Sequence, residues 1–175
     1  MNKTLIIYST VDGQTRAICE FIKGINQTAE SEVTVASLEE AKELSLAHYD
    51  KVMIGASIRY GKHRPELYQY INHHHAVLSA KKNAFFTVNV VARKPEKNTP
   101  ETNPYMKKFL ELSLWKPQQL GVFAGKIDYP KYGFIDKTMI RFIMWMTKGP
   151  TDTSGTFEFT DWQQVEEFSK AFAEK

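Results

Sequence analysis

LIIYSTVDGQT, Leu5 to Thr15, decides the fold of this chain. Four apolar residues, Leu5, Ile6, Ile7 and Tyr8, run into a hydroxyl-rich turn. A helical pattern follows at once, with Ala17, Ile18, Phe21, Ile22 and Ile25 on one face. A strand that ends in such a turn and passes straight into a helix leaves the first backbone N–H groups of that helix unpartnered and aimed at one spot, which suits a phosphate. Ser9, Thr10 and Thr15 add hydroxyl donors, Val11, Asp12 and Gln14 complete the loop, and Gly13 lets the backbone curl with no Cβ in the way. The same residues also suit a plain turn and helix cap, so the loop alone leaves both roles open.

The rest of the chain narrows the choice. Its 175 residues are most simply one domain, residues 1–175, long enough to bury a full core. The composition, 42% hydrophobic and 25% charged, is that of an ordinary globular protein. Cys19 is the single cysteine and can make no internal disulfide, which predicts a reducing compartment and cytosolic exposure. The start MNKTLIIYST has too short an apolar run for a signal peptide, and no stretch reaches the roughly 18 apolar residues of a membrane span. The net charge of +3 permits an anionic partner without requiring one; no nucleic-acid partner is expected, and a homo-oligomer stays open.

After the first helix, Ser31 to Ala36 alternates as a short edge strand, and Ser37 with Glu40 forms a capping box. Lys51 to Ser57 is a buried run, followed by the loop IRYGKHRP and a helix that starts at Pro65, with Leu67, Tyr70, Ile71, Val77 and Leu78 inward. Ala84 to Val91 reads as the fourth strand, and Ala92 to Asn103 as a long polar loop. Asn103 and Pro104 open a helix carrying Phe109, Leu110, Leu112 and Trp115, and Leu120 to Ala124 is the fifth strand. Thr156 to Thr160 reads as more strand; Thr160 with Gln163 is a capping box for a last helix whose stripe is Trp162, Val165, Phe168 and Phe172. Strands alternating with helices give a parallel sheet covered on both faces, a three-layer α/β domain. Residues 125–155 do not fit that alternation and read as an insertion within or just after the fifth strand.

Ligands of open parallel sheets bind beyond the carboxyl ends of the strands, where the strand order reverses. With strand one central, three unusual loops meet there: Ser9 to Thr15; Ser57, Ile58, Arg59, Tyr60 and Gly61; and Asn89, Val90, Val91 and Ala92. The second and third loops are placed to cover the two sides of a flat ring, with Tyr60 as a stacking face. No GxxxxGK followed by Ser or Thr is present, and no GxGxxG; Ser9 and Ser57 stand where a phosphoacceptor domain would carry acids. A monophosphate such as that of FMN fits best. No carboxylate or histidine pair stands out in these loops, so no catalytic side chain is assigned. His73 to His75 are adjacent on a helix and point in different directions, unlike the i, i+4 spacing of a two-histidine metal site. They read as a polar helix end, and no metal is expected.

IIYSTVDGQT, with Cys19 where alanine is usual and Ile22 beyond it, resembles the flavodoxin signature. IGASIRYG (54–61), VNVVARKPEK (88–97), the cluster of Tyr129, Pro130 and Tyr132, and TDTSG through TDW resemble the flavodoxin-like, quinone-dependent protoporphyrinogen IX oxidases of bacterial haem synthesis. The resemblance runs over essentially the whole chain. It implies a flavodoxin-like sandwich with a five-stranded parallel sheet in the order 2-1-3-4-5 and an amphipathic helical insertion at strand five. It also implies FMN as cofactor, protoporphyrinogen IX as electron donor, and menaquinone or ubiquinone as acceptor. The location implied is peripheral, on the cytoplasmic face of the inner membrane. The substrate's propionates would need cations, and Arg59, Lys62, Arg64, Arg93, Lys94 and Lys97 fall on the loops around the proposed flavin. Arg59, Arg93, Lys94 and Tyr129 are the substrate-binding candidates.

The insertion contains FIDKTMIRFIMWMTK, Phe134 to Lys148. At about 100° per residue, Lys137, Arg141 and Lys148 lie within about 40° of one another, and Phe, Ile, Met and Trp fill most of the remaining circumference. Such a helix has the make-up of one lying in a bilayer interface, and residues 134–148 are the expected membrane contact. Two other readings remain, an electron-carrier flavodoxin and an FMN quinone reductase fed by NAD(P)H.

Overall fold

The computed structural model describes residues 1–10 and 12–174. β1 (Asn2–Ser9), β2 (Ser31–Ser37), β3 (Lys51–Ser57), β4 (Lys82–Asn89) and β5 (Gln119–Ala124) form one sheet in the order β2-β1-β3-β4-β5. All four pairings are parallel. Because strand side chains alternate between faces, the apolar runs supply two cores at once. Leu5, Ile7, Val52, Ile54 and Phe85 face α3 (Pro65–Ala80) and α4 (Pro104–Leu112), with Trp115 beside them. Ile6, Met53 and Phe86 face α1 (Gln14–Asn26) and the last helix. Leu5, Ile6 and Ile7 are completely buried. Each such side chain contributes roughly 1.5–3 kcal/mol of burial free energy, which favours a central place for β1 over an edge.

Packing is tightest under the middle strands. The rings of Phe85 and Phe109 stack with centroids 3.7 Å apart and planes 6° from parallel, and Trp115 meets both edge-on. On the opposite face Phe86 lies against Gly55, where a Cβ would come within 2.1 Å of the ring. Glycine in the middle of β3 therefore makes room for an aromatic side chain from the neighbouring strand.

Several local expectations hold in detail. The Ser37–Glu40 capping box opens the short helix α2 (Leu38–Ala41). Pro65 occupies the first turn of α3, and the Asn103 side chain accepts from the amides of Tyr105 and Met106 to cap α4. Others shift. The buried stripe of α1 is Thr15, Ile18, Cys19 and Ile22; Ala17 is exposed, and Phe21 lies against Trp162 at 4.9 Å. Leu112 and Val77 are also exposed. The fourth strand stops at Asn89 because that side chain turns back to accept from the Ala92 amide at 3.0 Å, winding Val90–Arg93 into a 3-10 turn.

After β5 the chain makes β6 (Lys126–Asp128), a 3-10 turn, α5 (Phe134–Met146) and β7 (Thr156–Glu158), before α6 (Trp162–Glu174). β6 and β7 pair antiparallel as a separate ribbon, so Thr156–Glu158 does not extend the main sheet. The cap of α6 is Asp161, which accepts from the amides of Gln163 and Gln164. Thr160 instead donates to the Ala124 carbonyl at 2.7 Å, fastening the returning chain to β5. Among the described residues no helix is long and apolar enough to cross a membrane.

His63 is a buried polar residue inside this frame. Its Nε2 lies 3.0 Å from Thr87 Oγ1, its Nδ1 lies 3.3 Å from the Tyr68 hydroxyl, and the Phe85 and Phe109 rings surround it. Burial pushes its pKa down to about 4 from 6.5. Between those values the unfolded chain binds the proton and the folded chain does not. The stability at stake is therefore whole above pH 6.5 and is lost as pH falls toward 4, on the order of 3 kcal/mol. Urea midpoints at about pH 7.5 and about pH 4.5 should fall further for the parent than for His63→Gln; an equal fall in both would exclude this cause.

Candidate functional site

The loops after β1, β3 and β4 meet at the carboxyl edge of the sheet around a cavity of about 830 Å³, counted with its open mouth. Thr10, Asp12, Gln14 and Thr15 line it from the first loop, Ser57, Ile58, Arg59, Tyr60 and Gly61 from the second, and Asn89, Val90 and Val91 from the third. Ser9 lies just beneath, buried at the end of β1. Gly13 is the N-cap of α1, with φ 90° and no side-chain cap on the helix. Ala92 is buried in the core. Val11 lies outside the described residues.

The first loop has the properties of an anion cradle. No acidic residue sits in the first turn of α1 to offset the positive end of its dipole. Two buried hydroxyls, Ser9 Oγ and Thr15 Oγ1, have no hydrogen-bond partner among the described residues. Leaving such groups unpaired costs about 1–3 kcal/mol each, so they call for an acceptor from outside the chain. The Thr10 hydroxyl accepts from the Gly13 amide at 3.0 Å and holds the turn. These donors fit the phosphate of a nucleotide cofactor.

The second loop is a two-residue hairpin. Arg59 and Lys62 form an antiparallel bridge, and the residues between them, Tyr60 and Gly61, have φ 53° and 79°, as a type I′ turn requires. Tyr60 pays a steric cost in that region that Gly61 does not. Arg59 is paired with Asp12 of the first loop and, at 3.5 Å, with Asp136 of α5. Its guanidinium lies 5.7 Å from the Tyr60 ring centre and 5.2 Å from that of Tyr132. The Tyr60 hydroxyl also donates to Asp136.

The third loop is held by a polar network. Asn89 Oδ1 accepts from Asn103 Nδ2 at 3.0 Å, and Asn103 Nδ2 also donates to the Lys97 carbonyl at 2.8 Å. The long polar loop is thereby closed on β4.

Sequence reasoning did not foresee the roof. Ile140, Ile143 and Met144 of α5 line the cavity, as do Lys126, Ile127 and Tyr132 nearby. Met144 is buried with Ile127 and Tyr129 in a small core of the insertion's own. Only an apolar helical period announced these residues, and period does not say which part of a helix with apolar residues almost all round covers a cavity.

The substrate candidates divide. Arg59 faces the cavity. Arg93 points away, donating to the Val90 carbonyl and to the carbonyl and hydroxyl of Thr147, so it caps the C-terminal end of α5. With Lys94 it lines a separate groove beside Met146 and Lys148. Tyr129 is fully buried and donates to the Pro150 carbonyl at 2.6 Å. Lys148 has left the helix, at φ 59°, so it does not continue a stripe with Lys137 and Arg141. His74 packs on Tyr70 at 4.4 Å, with His73 edge-on to it.

A parallel sheet in this order, with a hydroxyl-lined loop entering a helix at its reversal point, is a flavodoxin-type domain; residues 5–154 match the family model described as the flavodoxin domain. The fold is similar to that of oxidised flavodoxin 1 from Bacillus cereus, with a TM-score of 0.55, 17% identity, and 99% of this chain and 98% of that one covered. Two relatives bear the name protoporphyrinogen IX dehydrogenase (quinone). The one from Escherichia coli K12 is 43% identical over 171 residues, covering 98% of this chain and 94% of its own length. The one from Leishmania major is 44% identical over 172 residues, covering 98% and 74%. The chain belongs to this flavodoxin-like family of protoporphyrinogen IX dehydrogenases (quinone).

Proposed function

We propose that the protein binds FMN at the three-loop cavity, oxidises protoporphyrinogen IX to protoporphyrin IX, and passes the electrons to a membrane quinone. The observation that carries this reading is the pair of buried hydroxyls of Ser9 and Thr15, without a hydrogen-bond partner among the described residues, near the start of α1, which has no side-chain cap. They and the first amides of α1 take the phosphate, Thr10 and Gly13 shape the turn, and the 57–61 and 89–91 loops flank the ring. FMN supplies two-electron acceptance, and taking six hydrogens from a porphyrinogen needs three such rounds.

The chain's own part is to position and to exclude water. Arg59 attracts a propionate of the substrate. Ile140, Ile143 and Met144 would give a bound flavin an apolar cover, made of the same helix that turns Phe134, Ile135, Phe142, Trp145 and Met146 outward, all more than half exposed. An exposed apolar face of that size suits the interfacial layer of a bilayer, where the quinone is dissolved. Membrane contact through residues 134–148 brings the cavity mouth to its acceptor, at the cytoplasmic face of the inner membrane.

One anaerobic experiment tests this. Protoporphyrinogen IX should bleach the flavin of the FMN-loaded protein, NADPH should not, and quinone-loaded liposomes should restore the colour. A triple variant, Phe134→Ser, Phe142→Ser and Trp145→Ser, should bleach normally and recover about tenfold more slowly. Bleaching by NADPH alone would sink the reading, and normal recovery in the triple variant would remove the membrane contact from it.

A further inference from the structure

The helix that roofs the cavity is fastened unequally at its two ends. At the C-terminal end, Arg93 grips Thr147, the Gly149 amide donates to the Met144 carbonyl at 2.7 Å, and the Met144 side chain is buried. At the N-terminal end, Phe134 and Ile135 are 85% and 75% exposed, and the cap is Gly133, which contributes no side chain. Among the described residues, the side-chain ties there to the cavity loops both run through one residue: Asp136 accepts from the Tyr60 hydroxyl and pairs with Arg59.

Arg59 carries one positive charge and faces two carboxylates, Asp12 and Asp136. The group as a whole is therefore negative, in a place proposed to receive an anionic substrate. An incoming carboxylate that takes the Nη1/Nη2 fork competes with both of these carboxylates. Asp136 is the looser of the two: its Arg59 contact is an ion pair of 3.5 Å without a hydrogen bond, and its side chain is 45% exposed against 33% for Asp12. A long, single ion-pair contact to a half-exposed carboxylate is weak, and an incoming carboxylate that engages the fork with both oxygens is a better partner.

We propose that Asp136 is a specificity-determining residue, an internal stand-in for a carboxylate of the substrate. It satisfies Arg59 until a carboxylate-bearing ligand takes its place, and its release lets the first turn of α5 lift about the fixed C-terminal end. A ligand of the same shape without the carboxylate cannot displace it. The inference rests on the reading of the substrate as an acidic tetrapyrrole.

The test uses FMN-loaded protein, with protoporphyrin IX and its dimethyl ester as probes. Binding is followed by quenching of flavin fluorescence, and the roof by amide hydrogen exchange over residues 134–139. In the parent, the free acid should speed exchange in that segment and the ester should not. Asp136→Ala, which removes both the Arg59 pair and the acceptor of the Tyr60 hydroxyl, should exchange fast without ligand and bind the acid about two- to fivefold more tightly, with little change in ester binding. Asp136→Glu should restore parental behaviour. Parental exchange in Asp136→Ala, or equal binding of acid and ester by both proteins, would overturn the stand-in while leaving the substrate reading intact. A porphyrin that bound neither protein in either form would overturn both.

Discussion

Replacing Gly13 with aspartate should yield a folded protein that retains no flavin. The residue has φ 90°, a region costly for most side chains and milder for aspartate. A Cβ built there meets no atom of the described residues within 4 Å, so the cost to the fold is the backbone strain alone. The new carboxylate caps α1, a position where aspartate is favoured over residues that cannot accept. That same cap occupies the start of the helix with negative charge and repels the phosphate by about 4 kcal/mol at close range. FMN affinity should fall at least about a hundredfold, measured by titrating the flavin-free variant. Gly13→Ala, which carries the strain without the charge, should lose far less. Parental affinity in the aspartate variant would remove the phosphate from this loop.

The second large effect concerns stability. Phe85→Ala should cost about 3–5 kcal/mol, because the ring is fully buried and is the centre on which Phe109 stacks and which Trp115 and His63 meet edge-on. Domains of this kind are stable by only about 5–15 kcal/mol, so the urea midpoint should drop by about a fifth or more. A smaller loss would mean that the cluster relaxes into the space. The adjacent residue gives an internal contrast: Phe86→Leu removes the ring lying over Gly55 on the opposite face and should cost less, since leucine refills most of the volume.

The sheet was legible because each strand is a short apolar run bounded by turn residues, and period two assigns its faces without further knowledge. The turn from β1 into α1 was legible for a related reason: the glycine and hydroxyls that shape it are local, within seven consecutive residues. What escaped was set by distance in sequence. Gln14 donates to Thr160 at 3.0 Å and to Glu158 at 3.3 Å across more than 140 positions, and nothing near either partner announces it. The same holds for Arg93, whose charge suggested a substrate contact while its guanidinium is spent on the end of α5. The cap of α6 shows a finer failure. Thr160 and Asp161 are both good caps, and the choice fell to Asp161 because the carbonyl of Ala124 claims the Thr160 hydroxyl.

The chain leaves the main sheet at Gly125 and returns at Phe159, where the Phe159 amide donates to the Gly125 carbonyl at 3.0 Å. Everything between passes through that single doorway. Because the ends already meet, lengthening or trimming the intervening segment changes the loop-closure entropy only slowly and leaves the register of the five strands untouched. The segment is in this sense a cassette, whose length and sequence can vary while the pairing of the five strands beneath it stays as it is.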